Sequence, residues 1–355
     1  MSVKKILSLV ASTIKFFIII MLFAINSKAE DNNIKYYYED SGILSLMYHR
    51  FDENKYPSTN IQMNIFKKQI SIINSLNYNF YDPQQLQKDF NIAKNEKKIL
   101  VTIDDAFSSF YKFAWPYLKK EKIPFILFVS TEAVGKTGYM SWEQIQEIEK
   151  ESYAYIGNHS HSHNYLVDLE IENFLSDINA SIKIFNQHLG YNPIFFSYPF
   201  GEYSKTIKDF ISKNFDFAFG QHSGVIDINK DPHELPRFPI NEKYGKIERF
   251  STLLKTLPFK YKSVFPNEKY INDKTNPPRV KIEFFENFYN LKNLNCFSNE
   301  NDKWRKSKIN FNSKTNIEII LSGKFTTERG RINCSLREPN GFYRWLGMQF
   351  VVAEK

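Results

Sequence analysis

Two hydrophobic rhythms alternate along most of this chain. Short, nearly unbroken apolar runs recur, and between them apolar residues return every three or four positions. The runs predict buried strands at Gly42–Tyr48, Lys98–Ile103, Phe125–Val129, Tyr153–Gly157, Ile194–Tyr198, Phe217–Phe219 and Arg237–Ile240. The intervening stretches predict helices. Asn64 is a fair N-cap for one through Leu76, with Phe66, Ile70 and Ile73 on one face. Asp82-Pro83 opens another, and a third runs from Phe107 to Lys120, with Pro116 expected to kink or end it. Ser141-Trp142-Glu143-Gln144 has capping-box spacing. Further helices are expected at Ile171–Leu189, stopped by Gly190, at Ser204–Asn214 and at Ile247–Leu257. About seven strands alternating with helices predict one α/β barrel-like domain over residues 30–257.

The rhythm then breaks. Prolines at 258, 266, 277 and 278 mark an expected linker over residues 258–278. Residues 279–355 keep strand signals at Val280–Phe284, Ile317–Leu321 and Met348–Val352 with no helix signal, which predicts a small β-rich domain. Trp304, Tyr343 and Trp345 there either stack on sugar rings or belong to its core. No internal repeat is evident.

The first 29 residues stand apart. Lys4 and Lys5 precede an apolar run, Phe16–Ile25, and Ser27-Lys28-Ala29 offers small residues for cleavage. Ten residues do not span a bilayer, which needs about 20. A cleaved signal peptide, ending near Ala29, is the expectation; an uncleaved anchor is the alternative. The chain is then exported, to the periplasm or the cell exterior, with association to the cell envelope as a further expectation. Cys296 and Cys334 in an exported chain pair as one disulfide, or else remain two buried thiols.

Composition adds little to this picture. Hydrophobic residues make up 42% and charged residues 24%, as in ordinary globular proteins. The net charge of +8 loses Lys4, Lys5, Lys15 and Lys28 with the leader. No block of like charge remains to suggest a nucleic-acid partner.

Chemistry concentrates where strands end. The Ile99 strand stops at Asp104-Asp105, and the Tyr153 strand runs into Asn158-His159-Ser160-His161-Ser162-His163. Strand C-termini are where such folds place their sites. The two acids cap the next helix, or they face a cation that relieves their repulsion. One helical turn would bring His159 and His163 onto one face, and two imidazoles with the Asp105 carboxylate form a catalytic zinc arrangement. Asp104 is then the base that takes a proton from water, and His161, pointing away, is structural. His188, His222 and His233 carry no comparable argument, and Trp142 belongs to a helix core.

Thr102-Ile103-Asp104-Asp105, His159-Ser160-His161-Ser162-His163 and Ser197-Tyr198-Pro199-Phe200-Gly201, in that order, resemble the polysaccharide deacetylases with NodB homology, carbohydrate esterase family 4. The resemblance covers roughly Gly42 to Ile240 and implies that the barrel is a distorted (β/α) barrel of about seven strands. It implies hydrolysis of N-acetyl groups on a polysaccharide with a divalent metal, Zn²⁺ first and Co²⁺, Ni²⁺ or Fe²⁺ as alternatives. By position it implies Asp104 as catalytic base and Asp105, His159 and His163 as metal ligands. The motif holding Tyr198 and Phe200 would lie against substrate, with the Phe200 N–H at the oxyanion. Two features depart from the pattern: Ser197 stands where the family often has Arg, and no late Leu-x-His motif is evident. Tyr48-His49 and Leu235-Pro236-Arg237-Phe238-Pro239 resemble instead the branch acting on poly-N-acetylglucosamine. That resemblance implies His49 as general acid and Arg237 as the residue orienting Asp104. The departures keep open a glycan-binding protein that has lost turnover, and an O-acetyl esterase or a non-sugar amidase on the same fold. Oligomeric state is not legible.

Overall fold

A computed structural model of the chain describes residues 42–88, 97–227, 230–285 and 291–353; the expected signal peptide lies outside the described residues. Strands and helices alternate: β1 (Ile43–Tyr48), α1 (Met63–Ser75), β2 (Asn79–Phe80), β3 (Lys98–Ile103), α2 (Trp115–Glu121), β4 (Phe125–Val129), α3 (Trp142–Glu149), β5 (Ala154–Asn158), α4 (Ile171–Leu189), β6 (Phe195–Ser197), α5 (Lys205–Ile211), β7 (Phe217–Phe219), β8 (Phe238–Pro239) and α6 (Ile247–Leu253). The strands form one parallel sheet in the order β8-β1-β3-β4-β5-β6-β7, with β2 beside the start of β3. Between β7 and β8, isolated bridges from Leu235 to Phe219 and from Ile226 to Ile43 stitch the irregular side. This is a distorted (β/α) barrel.

Strand side chains alternate between the two faces, and the chain uses both. Leu44, Leu46, Ile99, Val101, Ile103, Phe125, Leu127 and Val129 point outward and pack under the helices with Phe66, Ile70, Ile73, Phe110 and Leu118. Ile43, Leu100, Ile126, Phe128, Phe195, Phe217 and Phe219 point inward and fill the barrel. Gly157 is required by that filling: a Cβ there would lie 2.4 Å from the Phe128 ring. The same alternation carries Thr102 and Asp104, then His159 and Ser197, to the interior.

Local details differ from expectation for physical reasons. Helix α1 begins after Gln62, not at Asn64, and Asp52 Oδ1 accepts from the Met63 N–H at 2.7 Å, so a loop residue satisfies the helix start. Pro116 sits in the first turn of α2, where its missing N–H costs nothing. A π-helical stretch, Phe110–Ala114, precedes it and absorbs the change of register. The Ser141 capping box forms, with Gln144 Oε1 accepting from the Ser141 N–H at 3.0 Å. Helix α6 stops at Leu253, because the next residues leave to pair with a strand near the C-terminus. Among the described residues no helix is long and apolar enough to cross a membrane.

The C-terminal part is β-rich: β9 (Thr256–Pro258), β10 (Ser263–Phe265), β11 (Tyr270–Ile271), β12 (Val280–Glu283), β13 (Asn295–Ser298), β14 (Arg305–Lys306), β15 (Lys308–Phe311), β16 (Asn316–Ile320), β17 (Arg329–Arg337) and β18 (Tyr343–Val352). One sheet runs β9-β18-β17-β13-β14 with β11 beside β18, and a second runs β10-β12-β16-β15. Residues 258–278, read from their prolines as a connection, thus supply short strands to both sheets. Cys296 and Cys334 face each other across β13 and β17 and form a disulfide. Trp345 packs on Phe238 of the barrel, whereas Trp304 is exposed.

A cavity of about 90 Å³ lies where the first of these sheets meets the barrel, lined by Tyr203, His222, Glu234, Tyr261, Lys269 and Trp345. Burial there pushes the His222 imidazole down to about 4. The folded form holds His222 neutral, so its contribution to stability is present above pH 6.5 and is lost as pH falls toward 4. We expect thermal melts of wild type to lose at most about 1.4 kcal/mol per pH unit more than His222→Gln across that window. Parallel melting curves would refute this.

Candidate active site

The acids and imidazoles of the sequence motifs meet at the C-terminal ends of β1, β3, β5 and β6. Asp104 is the next inward position after Thr102 and is fully buried. Its two oxygens take a bidentate pair from Arg237, Nη1 to Oδ1 at 2.6 Å and Nη2 to Oδ2 at 2.8 Å. The remaining guanidinium donors go to Gly220 O at 2.9 Å, Thr102 Oγ1 at 3.1 Å and Ser197 Oγ at 2.8 Å. A buried Arg with every direction used holds a carboxylate in one orientation. Burial would raise Asp104, but Arg237 foremost, with His159 and His49, outweighs it and holds the carboxyl below its ordinary value. Ser197 therefore stands beside a guanidinium that comes from a different strand.

Asp105 lies one residue beyond, past the end of β3. It and Ala106 both have left-handed backbone, φ 73° and 52°, as do Ser160 and His163 at 66° and 56°. Such strain clusters at functional sites. The histidine segment is not helical, as its spacing had suggested. Left-handed residues and hydrogen bonds fold it back on itself instead: Asp177 receives the N–H groups of His161 and Ser162, each at 2.9 Å, and Ser160 Oγ receives that of His163 at 3.0 Å. Asn158 Oδ1 takes the Ser160 N–H at 2.8 Å. The outcome is convergence: Asp105 Oδ1 lies 3.4 Å from His159 Nε2 and 3.2 Å from His163 Nε2. His161 turns away to Thr131.

These three residues fit a divalent ion. His159 Nδ1 donates to Ser197 O at 2.7 Å, so the neutral ring presents a bare lone pair at Nε2. That nitrogen is buried and has no hydrogen-bond partner, yet it faces a carboxylate oxygen. A lone pair and a carboxylate oxygen facing each other repel unless a proton or a metal cation lies between them, and the third donor, His163, favours the metal. The ligand atoms of Asp105, His159 and His163 all lie within 4.8 Å of one another. Burial alone would raise Asp105, but His159, His163 and the charge of His49 hold it well below the ordinary carboxylate range. His163, despite burial, is raised by Asp105.

His49 follows β1 directly, and its Nε2 lies 4.0 Å from Asp104 Oδ2. Burial lowers its pKa against the pull of Asp105 and Asp104. Phe200 has φ 58°, and its ring meets His163 edge-on at 4.7 Å and stacks on Tyr165 at 4.3 Å. Tyr198 corrects an expectation: its ring lies on the outer face of β6 among Phe196, Tyr203 and helix residues, and its hydroxyl donates to His233 O at 3.2 Å. Two-residue alternation puts Ser197 inside, so Tyr198 must face outward. A cleft of about 350 Å³ opens beside the three ligands, bordered by Phe107, Lys136, Tyr139 and Phe200.

Sequence reasoning passed over Asp177. The signal was there, since Asp177 interrupts the buried stripe Phe174, Ile178, Ser181, Phe185 of α4. A carboxylate on an apolar stripe has a partner to serve.

A carboxylate and two imidazoles beside an oriented second carboxylate, at the mouth of an α/β barrel, define a hydrolase-type centre. Comparison with known proteins narrows the class. Residues 91–217 match the polysaccharide deacetylase family model, so that part of the barrel is similar to the polysaccharide deacetylases. The poly-β-1,6-N-acetyl-D-glucosamine N-deacetylase of Staphylococcus epidermidis is 23% identical over 260 residues, spanning 65% of this chain and 88% of that protein. Among solved structures, the Streptococcus pyogenes deacetylase PplD in complex with acetate superposes with a TM-score of 0.54 at 19% identity, covering 61% of this chain and 99% of that one. IcaB from Ammonifex degensii gives 0.53 at 24% identity, covering 61% and 98%. At these identities the two structures speak for the shared fold.

Proposed function

We propose that this chain is an exported, divalent-metal-dependent N-deacetylase of a poly-N-acetylglucosamine-like polysaccharide. The observation that carries the reading is the unpartnered His159 Nε2 converging with Asp105 and His163 directly beside the Arg237-held Asp104. The named activity of the staphylococcal relative and the disulfide, which suits an oxidising compartment, support substrate and location.

Asp105, His159 and His163 would hold the ion, with zinc the best match to this donor set. Such an ion lowers the pKa of bound water to about 7 and polarises the acetyl carbonyl. Asp104 Oδ2 takes the proton of the attacking water, and Arg237 keeps that oxygen aimed. The Phe200 N–H stabilises the developing oxyanion. His49 protonates the departing amine, with a proton relayed through one water from the Asp104 oxygen 4.0 Å away. Its lowered pKa makes the protonated ring a stronger acid. Phe107 and Tyr139 border the cleft as apolar walls for the sugar. The reading of a site that has lost turnover drew on Ser197 replacing an arginine and on the extra β domain. Arg237 reaching Asp104 from β8's edge answers the first of these.

An acetate-release panel tests the proposal. We expect release from N-acetylglucosamine oligomers and none above background from acetylated xylan. Release from the xylan alone would replace the amide reading with an ester one.

A further inference from the structure

Two side chains of the C-terminal sheet, Arg329 and Gln349, close on the Pro199–Glu202 loop at the barrel mouth. Gln349 on β18 is buried, and its Nε2 donates to Phe200 O at 3.0 Å and Gly201 O at 3.2 Å. Its Oε1 accepts from Arg331 Nε at 3.2 Å, which determines which end of the amide faces the loop. At the start of β17, Arg329 Nε donates to Glu202 Oε1 at 2.5 Å. The Arg329 guanidinium also lies over the Phe200 ring, 5.1 Å from its centroid. Glu202 is buried, and without Arg329 it would be an isolated carboxylate between the sheet and the barrel.

These contacts fall on strained backbone. Phe200 holds a left-handed conformation, which a bulky residue keeps only where its surroundings impose it. Gly201 follows with φ 72°, and a Cβ there would lie 2.4 Å from the Gln221 nitrogen, so only glycine lets the loop pack this closely against Gln221. Phe200 in turn touches His163. The chain of contact runs from the C-terminal sheet, through two carbonyls, to a residue bordering the candidate metal ligands.

We propose that Gln349 and Arg329 are positioning residues of the active site, clamping Pro199–Glu202 so that the Phe200 N–H and ring keep their places. The inference rests on the deacetylase reading and extends it: the C-terminal sheet is part of the catalytic apparatus. A donor lost from Gln349 frees the Phe200–Gly201 peptide, so the strained Phe200 backbone can relax and shift its N–H, and misplacing one catalytic donor costs turnover more than binding.

The test is Gln349→Glu, which keeps the shape and the Arg331 contact but turns an acceptor toward two carbonyls. In the full chain, loaded with zinc, kcat for acetate release should fall about 10- to 100-fold with KM within about twofold. Zinc content should stay that of wild type. Hydrogen exchange should quicken at residues 199–202 while that of 158–163 is unchanged. Lys262→Ala, an exposed lysine of the second sheet's edge, should leave both kinetic constants alone. A kcat within twofold of wild type overturns the proposal, as do unchanged loop exchange or a loss that tracks melting temperature and zinc content instead. Should Gln349→Glu fail to fold, Gln349→Met removes the same donor at similar volume. Absence of acetate release by wild type refutes the deacetylase reading instead, and loop exchange then still decides the clamp.

Discussion

Asp104→Asn will reduce acetate release by about 10²- to 10⁴-fold, the range for loss of a general base. It will also destabilise the protein, which the sequence alone would not suggest. Both Asp104 oxygens accept from Arg237, and neither residue is exposed. An asparagine turns an NH₂ toward a guanidinium N–H and leaves that cation without its counter-charge. Breaking a buried pair in this way costs about 3–5 kcal/mol. Denaturant melts should record the loss, and metal analysis of the folded fraction should still find the ion, because its proposed ligands are Asp105, His159 and His163. Adding Arg237→Met should return most of the stability and none of the activity. Turnover at wild-type rate in Asp104→Asn would remove Asp104 from the mechanism.

Removal of the ion should be as severe. Chelation is expected to bring acetate release to background, and one equivalent of zinc or cobalt to restore it. The bare His159 Nε2 and the Asp105 carboxylate then face each other with nothing between. Melting temperature should drop on chelation, since a ligand at 1,000 times its Kd contributes about 4 kcal/mol. The barrel should survive, because the Asp104–Arg237 pair does not involve the ion. Full turnover in chelator, with less than one ion per chain, would end the metal proposal.

The element order was readable because it rests on local periodicity. Helix α4 was expected at Ile171–Leu189 and is found there, bounded by Gly190 in the left-handed conformation that lets a glycine close a helix. Errors fell where a distant residue intervened. Asp52 supplies the start of α1 in place of Asn64, and strand pairing with β18 ends α6 early. The prolines of residues 258–278 hid three short strands, whose partners lie far along the chain.

At the site, alternation along strands carries Thr102, Asp104, His159 and Ser197 to one interior and Tyr198 outward, a rule that follows from neighbours alone. The His159–His163 spacing pointed to a pair that the structure does bring together, but through another geometry: a helical turn was expected, and left-handed residues held by Asp177 and Ser160 do the work. What the chain determines by itself, then, is the order of its elements and which face each strand residue takes, because both follow from neighbours a few positions away. Arg237 could be linked to Asp104 only through the family resemblance, and that Gln349 holds the loop of Phe200 emerged only in three dimensions. Those partners are separated by 133 and 149 positions, and no local pattern encodes a contact that exists only once the barrel closes and the C-terminal sheet packs against it.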